Sequence, residues 1–180
     1  MGYFCEMKSI IRRVFNMRNE VGIHFYITDF LFRKLFRQNS KVKWAVHHTS
    51  TIIHPENIVR GKNVYPGDSP GNYIQAKNGI RIGDYTNIGP NVGIISANHD
   101  LIDNGKHQGA GPIIIGKNCW IGMNAVILPE VELGDYTIVG ANSVVTKKFP
   151  DGYSVIAGNP ARIIKSLNPK DCVKNGQVLS

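Results

Sequence analysis

A chain of 180 residues with 42% hydrophobic content and a formal net charge of +8 has room for one soluble domain with a short appendage. No apolar run approaches the ~20 residues needed to cross a membrane, and the N-terminal apolar stretch, interrupted by Asp29 and followed by charges, lacks a secretory-signal pattern. Three scattered cysteines, Cys5, Cys119 and Cys172, are expected as free thiols in a reducing, cytoplasmic compartment.

Residues 1–43 hold nine Lys/Arg against three Asp/Glu, so six of the eight net positive charges lie in the first quarter. No nucleic-acid partner is expected. Within residues 5–38, Ile10, Ile11, Val14 and Phe15, then Phe25, Tyr26, Phe30, Leu31, Phe32, Leu35 and Phe36, are set among basic side chains. The pattern predicts one or two amphipathic helices separated near "NEVG". Residues 1–50 are expected to form a helical cap that buries these aromatics against the first turn of the following domain, as terminal repeats require. A second expectation is peripheral contact with the inner face of a membrane through residues 1–43, with apolar side chains in the headgroup boundary and cations on anionic lipid.

From Ile82 the sequence falls into sixes, "IGDYTN IGPNVG IISANH", and from Ile115 again, "IGKNCW IGMNAV ILPEVE LGDYTI VGANSV". Extended backwards, the register reaches Ala76, Pro70, Val64, Ile58 and Ile52, with Ala76 and Pro70 as weak members. Six is too long a period for a helix face and too strict for ordinary strands, which points to a repeat architecture. The physical solution is a parallel β-helix in which one aliphatic per hexapeptide points into a triangular prism. Gly follows that aliphatic at 83, 89, 116, 122, 134 and 140. Small or β-branched residues precede it by two, at Thr86, Val92, Cys119, Ala125, Val131, Thr137 and Ser143. Asn91, Asn118, Asn124 and Asn142 fall at corners, where Asn tolerates left-handed backbone. Three hexapeptides make an 18-residue coil, so residues 51–150 supply about five coils stacked ~4.8 Å apart.

The register breaks between Ile94 and Ile115, 21 residues apart. If residues 109–114 form the third side of their coil, the nine residues 100–108 must leave the prism as a loop with His99 at its base. Loops on rigid scaffolds are where function concentrates. After "KKFPDGY", residues 151–180 form a C-terminal extension: "SVIAGNPARIIKSL" predicts a short strand, a turn at Asn159-Pro160 and a helical turn, followed by a loose tail.

The segments "PNVGIISANHD", "CWIGMNAVILPEVELGDYTIVGANSVVTK" and "AGNPARIIK" resemble the hexapeptide-repeat acyltransferases with a left-handed parallel β-helix, most of all the galactoside, maltose and polysaccharide O-acetyltransferases. The resemblance spans residues 52–167. It implies a homotrimer that uses acetyl-CoA, with each active site between neighbouring subunits. His99 corresponds to the family's catalytic histidine. The chemistry asks for such a group, because an alcohol is too weak an acid to attack a thioester unaided and imidazole can accept its proton near neutral pH. Direct transfer requires no Ser or Cys nucleophile, and Cys119 falls on an inward packing position.

The resemblance also implies that coenzyme A lies along the C-terminal coils, with Trp120, Met123, Ala141, Thr146, Lys147 and Arg162 at matching positions. Lys147, Lys148 and Arg162 suit its phosphates by charge, and Gly140 and Ala141 leave room for the pantetheine arm. Met123 stands where some relatives carry a small polar residue. Asn72 is the best match to an acceptor-binding position, with Asp68 and Tyr73 as exposed alternatives. No metal is expected: the metal-binding carbonic anhydrases of the same fold carry a histidine pair separated by four residues, whereas seven lie between His99 and His107. The expected function is acetyl transfer to a sugar hydroxyl of a surface polysaccharide or glycan precursor. An amino-sugar N-acetyltransferase, an antibiotic O-acetyltransferase and a non-catalytic trimeric scaffold remain alternatives.

Overall fold

Where the six-residue pattern runs undisturbed, the chain makes strands of two or three residues, because a flat side of a narrow prism accommodates no more before the backbone must turn. The computed structural model describes residues 21–107, 109–174 and 177–178. Cys5, Ile10, Ile11, Val14, Phe15 and any helix before "NEVG" therefore lie outside the described residues, as does Gln108. In chain order the strands are β1 (Thr51–Ile53), β2 (Ile58–Arg60), β3 (Tyr73–Gln75), β4 (Ile80–Ile82), β5 (Asn87–Ile88), β6 (Gly93–Ile95) and β7 (Ile113–Ile115). They continue as β8 (Trp120–Ile121), β9 (Val126–Ile127), β10 (Glu132–Leu133), β11 (Thr137–Val139), β12 (Val144–Val145), β13 (Ser154–Gly158) and β14 (Ala161–Ser166). Short strands Val173–Lys174 and Gln177–Val178 pair as a separate antiparallel ribbon.

Strands β1, β3, β6, β9 and β12 stack in parallel as one sheet, β2, β4, β7 and β10 as a second, and β5, β8, β11 and β13 as a third. The chain visits the three sheets in rotation, which is the three-sided solenoid that the hexapeptides predict. Their inward residues form one continuous core: Ile74, Ile94 and Ile127 from the first sheet, Ile115 and Leu133 from the second, and Ile121, Val139 and Ile156 from the third are all at most 1% exposed. Each such side chain contributes ~1.5–3 kcal/mol by leaving water. Thr86 and Thr137, also inward, satisfy their hydroxyls by donating to the carbonyls of Gly116 and Gly134 at 2.8 and 2.7 Å. Asn91, Asn118, Asn124 and Asn142 adopt φ of 53–60°, as expected of the corners, and Tyr85, Glu130 and Tyr136 do the same without that compositional signal. The glycine positions answer to close stacking: a Cβ on Gly83 would lie 2.6 Å from the carbonyl carbon of Gly116.

Two expectations about register are corrected. Ile52 pairs with Ile74 and Ile74 with Ile94, steps of 22 and 20 residues, before the regular 18-residue step from Ile127 to Val145. Early coils carry extra residues at their turns, so Ile74 occupies the inward position opposite Ile52 and Pro70 is exposed. The central break is also larger than nine residues. Ile82 pairs with Ile115, 33 positions on, against 18 from Ile115 to Leu133, so 15 residues are extra. The reason is topological: β6 lies on the first sheet and β7 on the second, so Ile94 and Ile115 occupy consecutive sides, and residues 109–114 are no separate side.

At the C-terminal end β14 returns antiparallel to β13, through the turn at Gly158–Ala161, where a helical turn was expected. Strand propensity explains it, since Ile163 and Ile164 are β-branched. At the other end, helix α1 (Ile23–Phe30) runs into a wider π-helical turn at Leu31–Leu35. It meets the solenoid through a polar contact. Asp29, 5% exposed, accepts from the backbone N–H of Val46 at 3.0 Å and from Arg33 at 2.6 Å, and Arg33 also donates to the carbonyl of Val42 at 2.8 Å. Phe32 packs on the ring of His48 at 4.8 Å. Contrary to the expected burial of the aromatics, Phe30 and Phe36 are 61% and 67% exposed, with Ile27 and Leu35 beside them. Val42, Trp44 and Val46 cover the first coil instead, Trp44 donating its indole N–H to the carbonyl of Pro66 at 2.8 Å.

Candidate functional site

The excursion between β6 and β7 is a loop built by its own polar side chains. Asp100 accepts from the N–H groups of Ile102 and Asp103, both at 2.9 Å, and its own N–H donates to the carbonyl of Lys106 at 2.9 Å. Asp103 accepts from the N–H of Gly105 and pairs with Lys106 at 3.0 Å. The two aspartates of the register break thus serve turns, holding out the bare tip of Leu101 and Ile102. Backbone hydrogen bonds and an antiparallel bridge between His99 and His107 close the base of the loop.

His99 is exposed, and its Nδ1 lies 2.6 Å from the carbonyl oxygen of Asn104. A carbonyl can only accept, so Nδ1 carries a hydrogen, and in the neutral ring Nε2 is then the nitrogen with the lone pair, the form a general base requires. The ring of His107 stands 4.4 Å from that of His99. Loss of solvent, followed by the nearby charges of Lys77 and His99, holds the His107 imidazole below its ordinary value, against a smaller upward effect of the Asn98 backbone. Sequence reasoning had considered His107 only as a metal ligand and gave no hint of the Asn104 carbonyl, since a backbone acceptor leaves no trace in side-chain pattern.

The residues matched to donor binding occupy two edges of the solenoid. Trp120, on β8 in the third sheet, is 57% exposed and borders an open groove of about 430 Å³ with Asn87, Asn118 and Tyr136. Met123 follows at the edge toward the first sheet, 48% exposed, and one coil further on the N–H of Asn142, beside exposed Ala141, donates to its carbonyl at 2.9 Å. Arg162, on β14, is exposed and donates only to the neighbouring carbonyl of Ala161. Thr146 and Lys147 lie across the first sheet, after β12, at the same edge from which the His99 loop emerges two coils earlier. Lys147 is exposed and rests on the ring of Phe149 at 5.4 Å, whereas Lys148 leans toward Glu132 at 3.7 Å. Among the described residues, the groove beside Trp120 is not lined by His99.

Asn72, expected as an exposed acceptor contact, is instead 1% exposed. It sits two residues before inward-facing Ile74, donates from its side chain to the carbonyl of Gly89 at 2.8 Å, and leaves its own Oδ1 without a partner. Tyr73 faces outward beside it. Cys119 is inward as expected, and burial pushes its thiol up to about 11.

Comparison with known proteins agrees with the repeat fold. The family profile "Bacterial transferase hexapeptide (six repeats)" matches residues 112–147. Galactoside O-acetyltransferase of Escherichia coli (strain K12) is 42% identical over 145 residues, covering 78% of this chain and 69% of that protein. A galactoside acetyltransferase solved in complex with coenzyme A superimposes with a TM-score of 0.66 at 28% identity, covering 88% of each chain. A maltose O-acetyltransferase from Clostridium difficile 630 matches with a TM-score of 0.58 at 34% identity, over 66% of this chain and 65% of that one. Repeat, fold and similarity over most of the chain coincide, and the chain belongs to the hexapeptide-repeat transferase family.

Proposed function

We propose that this protein is an acetyl-CoA-dependent O-acetyltransferase acting on a sugar hydroxyl, in surface-polysaccharide or glycan-precursor synthesis, with His99 as general base. The observation that carries the reading is the His99 Nδ1 to Asn104 carbonyl contact of 2.6 Å, which leaves Nε2 as the ring nitrogen available to take a proton. The acceptor hydroxyl gives its proton to Nε2 as its oxygen attacks the thioester carbonyl. The tetrahedral intermediate then collapses, the C–S bond breaks, and the imidazolium returns the proton to the departing thiolate. Similarity to proteins named galactoside and maltose O-acetyltransferases supports a sugar acceptor, and a relative's complex with coenzyme A supports the donor.

The donor site in this reading uses Trp120, Met123, Ala141, Thr146, Lys147 and Arg162. Trp120, Met123, Ala141 and Arg162 lie at a different edge from the His99 loop, which supports a homotrimer in which one subunit's loop approaches a neighbour's donor-binding edge. Asn72, being buried, would shape the acceptor side through the backbone it holds. The wider reading is a left-handed β-helix of about five coils over residues 51–150, with residues 1–50 as an N-terminal cap and 151–180 as a C-terminal extension. No helix among the described residues is long and apolar enough to cross a membrane. The outward apolar face of α1 supports peripheral attachment at the inner face of a membrane in a cytoplasmic protein. An amino-sugar or antibiotic acceptor would use the same base, and a scaffold would need none of it. An acetyl-CoA consumption assay against free sugars, nucleotide sugars and lipid-linked glycans tests the assignment; consumption with none of them, or acetylation of amines alone, would overturn it.

A further inference from the structure

At the foot of the His99 loop, on the edge between the first and second sheets, lies an open groove of about 420 Å³ lined by Asn57, Val59, Lys77, Asn78, Gly79, Ile80, Arg81 and Pro112. That volume falls within the ~300–1,000 Å³ typical of small-molecule sites. Two of its walls belong to the loop's own foundation. Asn78 donates from its backbone to Ser96 Oγ and from its side chain to the Ser96 carbonyl, both at 2.9 Å, and Ser96 precedes His99 by three residues. Pro112 ends the excursion and leans over Gly79, where an added Cβ would meet the proline ring at 3.3 Å. The groove wall is thus tied to the strand end from which the His99 loop departs.

The groove's chemistry is one-sided. Lys77 and Arg81 are both exposed, and no carboxylate lines the groove. Among the described residues neither cation has an ion-pair partner, since the pairs present are those of Asp29, Glu56, Asp103 and Glu132 with other residues. Glu130, nearby, accepts from the N–H of Gly111. Lys77 is close enough to the loop that its charge acts on His107. Two unneutralised cations beside amide side chains and an apolar floor form a receptor for a compact anion: Arg81 offers a planar fork of donors and Lys77 a mobile point charge.

We propose that the acceptor sugar carries an anionic group, phosphate or carboxylate, which Lys77 and Arg81 hold in this groove while a hydroxyl of the same molecule reaches Nε2 of His99. The inference rests on the acetyl-transfer reading and narrows its substrate class. It was legible in the sequence only as "AKNGIR", two cations flanking a glycine turn.

The test measures binding and transfer separately, with galactose 1-phosphate, galacturonate and methyl β-galactoside as probes, on the wild-type protein and on Lys77→Gln, Arg81→Gln and the double variant. The expected result is that at least one anionic probe binds the wild type tenfold or more tighter than the methyl glycoside, and that added salt weakens this binding. The double variant should lower the anion-over-neutral ratio of kcat/KM by at least tenfold, with Lys77→Arg restoring much of it. Preference for galactose 1-phosphate identifies a phosphate, preference for galacturonate a carboxylate. Wild-type protein that binds all three alike, or a double variant that keeps the preference, overturns the proposal. Tight anion binding without transfer to any probe would leave the groove standing and count against acetyl transfer. Transfer without anion preference would do the reverse.

Discussion

His99 and His107 face each other across an antiparallel bridge, their rings 4.4 Å apart, with the Nδ1 of His99 held by the carbonyl of Asn104. One imidazole is thereby oriented through its Nδ1, leaving Nε2 as the nitrogen that can take a proton, and the other packs against it. Replacing His99 by Ala is expected to leave the fold and acetyl-CoA binding intact and to lower kcat by ~10²–10⁴, the usual contribution of general-base catalysis. That corresponds to ~3–5 kcal/mol of transition-state stabilisation. Steady-state kinetics checks it, and an equally active variant would remove His99 from the chemistry.

His107 should titrate below its ordinary 6.5, because desolvation, then Lys77 and then His99 disfavour its charged form. The sign follows from linkage: a histidine whose folded value is depressed favours the folded loop fully above pH 6.5, and that contribution is lost as pH falls below 6.5 toward the folded value. A proton NMR titration of the imidazole Cε1–H should give a midpoint under 6.5, moving upward in Lys77→Gln. A midpoint at or above 6.5 would mean that desolvation and the charge of Lys77 do not act on the His107 ring in solution.

Lys147 and Arg162 are exposed cations without carboxylate partners among the described residues, whereas Lys148 has Glu132. Lys147→Ala and Arg162→Ala should each raise KM for acetyl-CoA more than they lower kcat, since charge contacts remote from the thioester hold ground state and transition state alike. Equal affinity in wild type and variants would reduce Lys147 to a solvated turn.

Asp29 ties α1 to the solenoid through Val46 and Arg33. Asp29→Ala leaves both partners without their acceptor and should cost ~3 kcal/mol, in the range for breaking a buried pair. The loss should be local, appearing as faster amide exchange in α1 while the β-strands keep their protection. Unchanged exchange in α1 would show that other contacts hold the helix.

α1 and the π-helical turn that follows it expose Ile27, Phe30, Leu35 and Phe36 along with Lys34 and Arg37. Co-sedimentation with vesicles should show binding that requires anionic lipid and weakens with salt, at ~1 kcal/mol per basic residue near the surface. Phe30→Ser with Phe36→Ser should abolish it and leave the oligomeric state seen in sedimentation unchanged. A change of oligomeric state in that variant would instead assign the apolar face to subunit contact.

The period of six was enough to derive three sheets, an aliphatic core and left-handed Asn corners, because a solenoid's packing is set by neighbours one coil away, and the same local rule repeats along the chain. The resemblance carried by "SANHD" singled out His99. Only the tertiary structure decided where that rule is suspended. Extra residues at the early turns put Ile74 rather than Pro70 opposite Ile52, and buried Asn72 behind it. Pairing of Ile82 with Ile115 revealed an excursion of 15 residues, since which side of the prism follows which is a matter of strand pairing across coils. The outward aromatics of α1 escaped pattern reading for a related reason. Hydrophobic periodicity says that a helix has an apolar face, but the buried contact of Asp29 with the N–H of Val46 determines which face meets the solenoid.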